Sequence, residues 1–156
     1  MLVIDSVSNK SVSRVFQIGP GIALIALLCG CSSFNKEWRT AGEGVPATDL
    51  AGRWDGSWKS DVNGHHGRLR CIMSKKDDQV YTARFHANYL KILSFTYTAD
   101  LKTTRETNEW TFTGSADLGS AGGVFRYDGH ADSTNFFSTY SSKKDHGTFQ
   151  MSKVRP

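Results

Sequence analysis

The chain lacks several features, and each absence excludes something. No helical stripe of convincing length runs through its 156 residues, so an all-α fold is out. No apolar run reaches the roughly 20 residues that a membrane-spanning helix needs. The uncharged, apolar-rich stretch Val15 to Leu28 is interrupted by Gly19, Pro20 and Gly21. Charge is not concentrated either. The formal net charge is +4, the basic residues are scattered, and the only basic doublets, Lys75-Lys76 and Lys143-Lys144, read as solvated turns. That pattern carries no nucleic-acid signature. The 5 histidines (65, 66, 86, 130 and 146) fall in different segments without ligand spacing, so no metal site is expected. Asp145-His146 resembles a catalytic pairing only superficially, because no Gly-x-Ser-x-Gly or other nucleophile context accompanies it. Gly119 to Gly123 lacks the Lys-Ser/Thr of a phosphate loop and reads as a hairpin turn. No cofactor and no enzymatic activity are expected.

The beginning of the chain is organised differently from the rest. Residues 1–14 carry Lys10 and Arg14 as their basic residues, and the apolar stretch follows. A charged region before a short apolar region is the build of a secretory signal. Next come Leu28, Cys29, Gly30, Cys31, Ser32 and Ser33. This resembles the bacterial lipoprotein signal, with an aliphatic residue at −3, a small one at −1 and the obligatory cysteine at +1. The resemblance implies cleavage before Cys31 and acylation of that cysteine, the palmitate-type anchor that holds a protein on a membrane. Cys29 at −2 departs from the usual pattern. Ser32 at +2, where Asp would retain such a protein, implies the outer membrane, facing the periplasm. Removing residues 1–30 takes two cations and one anion from the +4 total and leaves +3. Of the 3 cysteines, Cys71 is then left without a partner. It shares a strand face with Leu69 and Met73, which favours burial as a small hydrophobe over an intermolecular disulfide. Residues 31–48 are polar, with Gly42, Gly44 and Pro46, and read as the lipidated terminus and a flexible tether. Trp38 within it either rests at the membrane interface or packs on the domain.

From Asp49 onward the hydrophobic period becomes two. Strands are predicted over Arg53–Ser60, Arg68–Ser74, Gln79–Ala87, Ile92–Lys102, Glu109–Leu118, Gly123–Ala131, Asn135–Ser141 and Gly147–Lys153. Turn residues separate them, among them Asn63-Gly64, Asp77-Asp78 and Asp132-Ser133-Thr134. The link Ala87–Leu93 reads as a connection or as a bend in one longer strand. The expected fold is all-β, an antiparallel meander of about eight strands over residues 49–156. An open sheet would leave two unpaired edges, so a small barrel is favoured over a curled sheet or a β-sandwich. Its inward face, and any ligand-facing wall, would carry Trp54, Trp58, Tyr81, Phe85, Phe95, Tyr97, Trp110, Phe112, Phe125, Tyr127 and Phe149. His86 and His130 fall on the opposite, solvated face beside Arg84 and Arg126. They would form a basic patch only if their strands were neighbours.

The stretch from Leu50 through Gly52, Trp54 and Gly56 to Trp58 resembles the first strand of calycin-type barrels, the lipocalins and avidins. The resemblance implies that Gly52-x-Trp54 opens the barrel and that Trp54 plugs one end. It also implies a basic residue from a late strand packed over that indole, either Lys153 or Arg155. The segments Asn63 to Cys71 and Lys144 to Phe149 resemble a family of bacterial envelope proteins with no assigned activity to carry over. Two functions therefore stand as expectations. One is a membrane-anchored envelope lipoprotein whose barrel accepts a small apolar or amphipathic ligand. The other is a structural or interaction protein with a filled barrel and another envelope protein as its partner. Nucleic acid is not expected as a partner.

Overall fold

The computed structural model describes residues 33–90 and 92–155. The signal segment 1–30 and Cys31 lie outside the described residues. Eight strands follow one another in the chain: β1 (Gly52–Ser60), β2 (His66–Lys75), β3 (Val80–Tyr89), β4 (Leu93–Glu106), β5 (Glu109–Asp117), β6 (Val124–Ala131), β7 (Asn135–Ser141) and β8 (His146–Val154). Each pairs antiparallel with the next, and β8 returns to pair with β1 from Arg53↔Val154 to Ser60↔Gly147, closing the barrel. Closure removes both sheet edges, so every strand has a hydrogen-bonding neighbour on each side. The curled sheet and the sandwich are thereby set aside.

The alternation predicted from the sequence is the alternation of burial. Along β5, Trp110, Phe112 and Ala116 are buried while Thr111, Thr113 and Ser115 face water. Leu69, Cys71 and Met73 of β2 point inward together, and Cys71 is a free thiol with no exposed surface. Burial alone pushes that thiol well above its ordinary pKa, which leaves it an inert hydrophobe. The link after Ala87 is a true connection: β3 continues to Tyr89, Leu90 takes a left-handed φ of 51°, and β4 starts at Leu93. At Gly119–Gly122 a single helical turn, α2, replaces the expected hairpin turn.

One seam depends on glycine. Gly56 faces Met151 where β1 meets β8, and a Cβ there would stand 2.0 Å from the Gln150 carbonyl oxygen. Backbone contacts of that kind admit no side chain.

The segment expected as a tether is a correction. Residues 33–40 form a helix, α1, that packs on the outer face of β2 and β3. Phe34 is fully buried and stacks on His86 with ring centroids 4.8 Å apart. Trp38 stacks on Phe34 at 5.7 Å, and the Arg70 guanidinium lies 5.1 Å and 5.2 Å from the two rings. Arg84 pairs with Glu37 and donates to Ser33 Oγ at 2.8 Å. Two aromatics one turn apart, with carbon-rich arginine stems to lie on, bury enough apolar surface to hold a short helix in place. His86 is consequently 5% exposed rather than solvated, and Trp38 packs on the domain.

A ring-lined mouth at one end of the barrel

The two ends of the barrel differ. At the end where β1 starts, residues 47–51 fold across the opening. Leu50 and Trp54 are completely buried there, and the Trp54 indole donates to the Leu50 carbonyl at 2.9 Å. Asp49 accepts from the Tyr81 hydroxyl and from the Ala51 amide, both at 2.9 Å. Of the two basic residues that the calycin resemblance offered, Lys153 takes the place. Its ammonium lies 5.7 Å from the centre of the Trp54 ring and donates to the Ala47 and Asp49 carbonyls. Burial lowers the Lys153 pKa, and the nearby Asp49 charge partly offsets that effect. Tyr81, Trp110 and Phe112 belong to this sealed half, together with Phe136 and Met151.

The other end is open. A cavity of about 190 Å³ enters there between Trp58, Tyr89, Phe95, Phe125, Tyr140 and Phe149, and Tyr97 and Tyr127 lie among its lining. Its walls are rings in mutual contact. Tyr97 stacks on Phe85 at 5.2 Å and on Phe95 at 6.1 Å, and Tyr140 lies 4.9 Å from Phe149. The inward residues predicted from the sequence thus divide between two places. Trp54, Tyr81, Trp110 and Phe112 fill the sealed half, while Trp58, Phe95, Tyr97, Phe125, Tyr127 and Phe149 line the mouth, above Phe85. Phe95 has the inward register yet is 43% exposed, because it stands at the lip.

Five wall residues are absent from the predicted inward set: Ala87 and Leu118, which continue the inward alternation of their strands, and three others. Tyr89 lies beyond the predicted end of its strand. Tyr140 belongs to a segment in which Phe136 and Phe137 are both aromatic and so obscure the parity. The buried set Phe136, Ser138 and Tyr140 resolves it, with Ser138 fully enclosed. The third is Asp145, which reaches the mouth from the β7–β8 turn. Its carboxylate accepts from Ser60 Oγ at 2.6 Å and from the Tyr140 hydroxyl at 3.2 Å. Those bonds are what Asp145 does; its neighbour His146 is exposed at the start of β8. Burial, then the Asp145 charge, raises the Tyr140 pKa.

One polar atom in the mouth stands apart. Tyr127 is 3% exposed, and its hydroxyl interacts with the neighbouring Tyr97 hydroxyl but makes no hydrogen bond of good geometry among the described residues. Burial pushes its pKa up to about 12, so it stays a neutral donor at any physiological pH. The adjacent Tyr97 phenol is also raised, by burial first and by Tyr127 second. A buried hydroxyl without a well-placed partner forgoes up to about 1–3 kcal/mol, which makes it the natural point for a polar group of a ligand.

The histidines are not gathered. His65 contacts Tyr89, 2.8 Å from its hydroxyl, His86 lies under Phe34, and His130 sits beside Phe137 on the outside. β3 and β6 are not neighbours, so His86 and His130 make no joint patch. Among the described residues no three His, Cys, Asp or Glu are placed to hold a metal ion, and no helix is long and apolar enough to cross a membrane.

These features define a class by architecture: a closed eight-stranded antiparallel meander barrel, sealed at one end by an indole under a lysine and open at the other onto an aromatic cavity. No family model, no curated protein and no solved structure matches the chain.

Proposed function

We propose that the protein is an exported lipoprotein, held on a membrane by lipid on Cys31, whose barrel mouth takes up a small apolar or amphipathic molecule. The observation that carries this reading is the ring-lined cavity, with the poorly satisfied Tyr127 hydroxyl at its wall. At about 190 Å³ it exceeds the ~150 Å³ that accommodates a benzene molecule in an apolar protein interior. It therefore suits one ring or the end of an acyl chain, with the rest of the ligand outside. The arrangement of Gly52, Trp54 and Lys153 supports the lipocalin-like part of the reading. The sequence from Leu28 to Ser32 supports the anchor and, through Ser32, an outer-membrane location facing the periplasm. A second reading, an envelope interaction protein with no ligand, draws its support from the sealed half, which Trp54, Met73, Leu101, Phe112 and Phe136 fill.

Native mass spectrometry of the purified chain offered a bacterial lipid extract tests the ligand. A stoichiometric adduct displaced by a small aromatic competitor is expected, and an adduct-free chain would leave the interaction reading. The anchor is tested separately with a radiolabelled fatty acid in cells. Label in the native chain that disappears in Cys31→Ala is expected, and label retained by that variant would refute Cys31 as the site.

A further inference from the structure

The exposed apolar side chains are not scattered. Among the described residues, Val62, Leu90, Ile92, Leu93, Phe95 and Val124 are the large hydrophobics most open to water, between 43% and 84% exposed. All of them stand at the open end. Val62 lies in the β1–β2 turn; Leu90, Ile92, Leu93 and Phe95 lie in and beside the β3–β4 connection, and Val124 opens β6. At the sealed end, by contrast, the β2–β3 turn carries Lys76, Asp77 and Asp78, and the β4–β5 turn carries Thr107 and Asn108 between two glutamates. Three loops around a mouth thus form a greasy collar on an otherwise polar molecule. Single apolar residues on a surface need no explanation, but a cluster confined to one end does.

The path of the chain says what lies over that collar. Gly42 rests against Gly52 and Arg53 at the sealed end, whereas Ser33 and Phe34 rest on Arg84 and His86, well along β3. Followed towards the N-terminus, α1 therefore climbs from the sealed end towards the open one. From His86 to Leu90 is four residues of strand, roughly 13 Å along β3. From Phe34 to Cys31 is three residues, a reach of up to about 10 Å. That reach is most of the distance to the collar, so an anchor three residues before Phe34 is compatible with a membrane at the open end. Lys143 and Lys144 lie in the β7–β8 turn at the same end, suitably placed for anionic headgroups.

We propose that the collar formed by Leu90, Ile92, Leu93, Phe95, Val62 and Val124 rests in the lipid surface, so that the mouth opens directly onto the bilayer. This rests on the anchor reading and deepens the ligand reading. A mouth pressed to lipid meets amphiphiles that never need to cross water, and the chain end of a membrane amphiphile is the ligand class that the geometry favours. The alternative coverings, a second copy of the chain or an envelope protein, would have to reach the collar past the membrane that α1 brings to it.

The test uses the full chain with an environment-sensitive fluorophore on a cysteine introduced at Ile92, at Val124 or at Asn108 in the sealed-end turn. Cys71 is fully buried and does not compete for the label, and the native chain labelled in parallel gives the background from Cys29 and Cys31, which is subtracted. Each protein is reconstituted with vesicles of phosphatidylethanolamine and phosphatidylglycerol, with and without a quencher on the acyl chains. The expected result is a blue-shifted emission, quenched from within the bilayer at least five-fold more strongly for Ile92→Cys and Val124→Cys than for Asn108→Cys. Emission as aqueous at 92 and 124 as at 108 would overturn the inference, as would a blue shift at 92 that appears without vesicles and grows with protein concentration, the sign of a second copy. Fatty-acid incorporation, read on the same preparations, separates the two failures. Incorporated lipid with a wet collar sinks this inference alone, and a dry collar without incorporated lipid sinks the anchor while the collar contact stands.

Discussion

Phe34 lies over His86 with its ring centroid 4.8 Å away and the two planes 20° apart, which is how a helix outside the barrel is fastened to it. The phenyl ring has no exposed surface, and the imidazole contacts Thr96 Oγ1 on the neighbouring β4 at 2.9 Å. Phe34→Ala should therefore weaken α1 docking by about 3 kcal/mol, the usual cost of truncating a buried phenylalanine. The barrel itself keeps its sheet. Hydrogen exchange checks this: amides of residues 35–40 should lose protection while those of β1 and β8 keep theirs.

His86 gives the same contact a pH dependence. Burial first, then the charges of Arg70, Arg68 and Arg84, holds its pKa below the ordinary 6.5. A group whose folded pKa is depressed keeps its full contribution above the unfolded value and loses it as pH falls. Stability should be flat above about pH 7.5, decline through 6.5 towards the folded pKa, and level off beneath it, with a slope no steeper than about 1.4 kcal/mol per pH unit for one proton. Urea midpoints measured from pH 8 to pH 5 should show this decline in the native chain and a flatter profile in His86→Gln. In Phe34→Ala, with the imidazole uncovered, its pKa read by NMR should move up towards 6.5.

The barrel was legible in the sequence because each strand has one wet and one dry face, which writes burial into every second residue, and because a meander of eight such strands has no other economical way to hide its edges. The helix over 33–40 was not. Its apolar stripe consists of little more than Phe34 and Trp38, and its partners, Arg70, Arg84 and His86, sit on the strand faces that periodicity assigns to water. Ile72 is the residue that could have pointed to it: an outward position, yet 3% exposed. The collar was obscured for a related reason, since Ile92 and Leu93 read as the start of a strand, and Leu90 as part of a connection or bend, when only their hydrophobicity is considered.

Gly56 predicts how intolerant the β1–β8 seam is. An alanine Cβ would meet the Gln150 oxygen at 2.0 Å and the Met151 Cα at 2.6 Å, both of them backbone, so relief requires the two strands to part. Gly56→Ala should cost about 3 kcal/mol, at the top of the range for overpacking. Gly64 is the control: its φ is +72° with nothing within 4 Å, so Gly64→Ala meets only the left-handed penalty of about 1 kcal/mol. Denaturant melts of the two variants should preserve that order, and equal losses would show that the seam relaxes.

Tyr127 links the stability of the barrel to the use of its mouth. Its hydroxyl is buried among rings and meets only the Tyr97 hydroxyl, in poor hydrogen-bonding geometry, so its deletion removes more desolvation cost than hydrogen bonding. Tyr127→Phe should therefore stabilise the unliganded chain, by about 1 kcal/mol. If the hydroxyl serves a ligand, the same change should weaken an amphipathic molecule bearing a polar head roughly ten-fold, the equivalent of one neutral hydrogen bond. A wholly apolar probe such as benzene should bind the two proteins alike. Calorimetry with a short-chain alcohol and with benzene separates these outcomes. A stabilised variant that binds both probes as the native chain does would confine the hydroxyl to a structural blemish, whereas selective loss of the alcohol places it in the recognition of the ligand head.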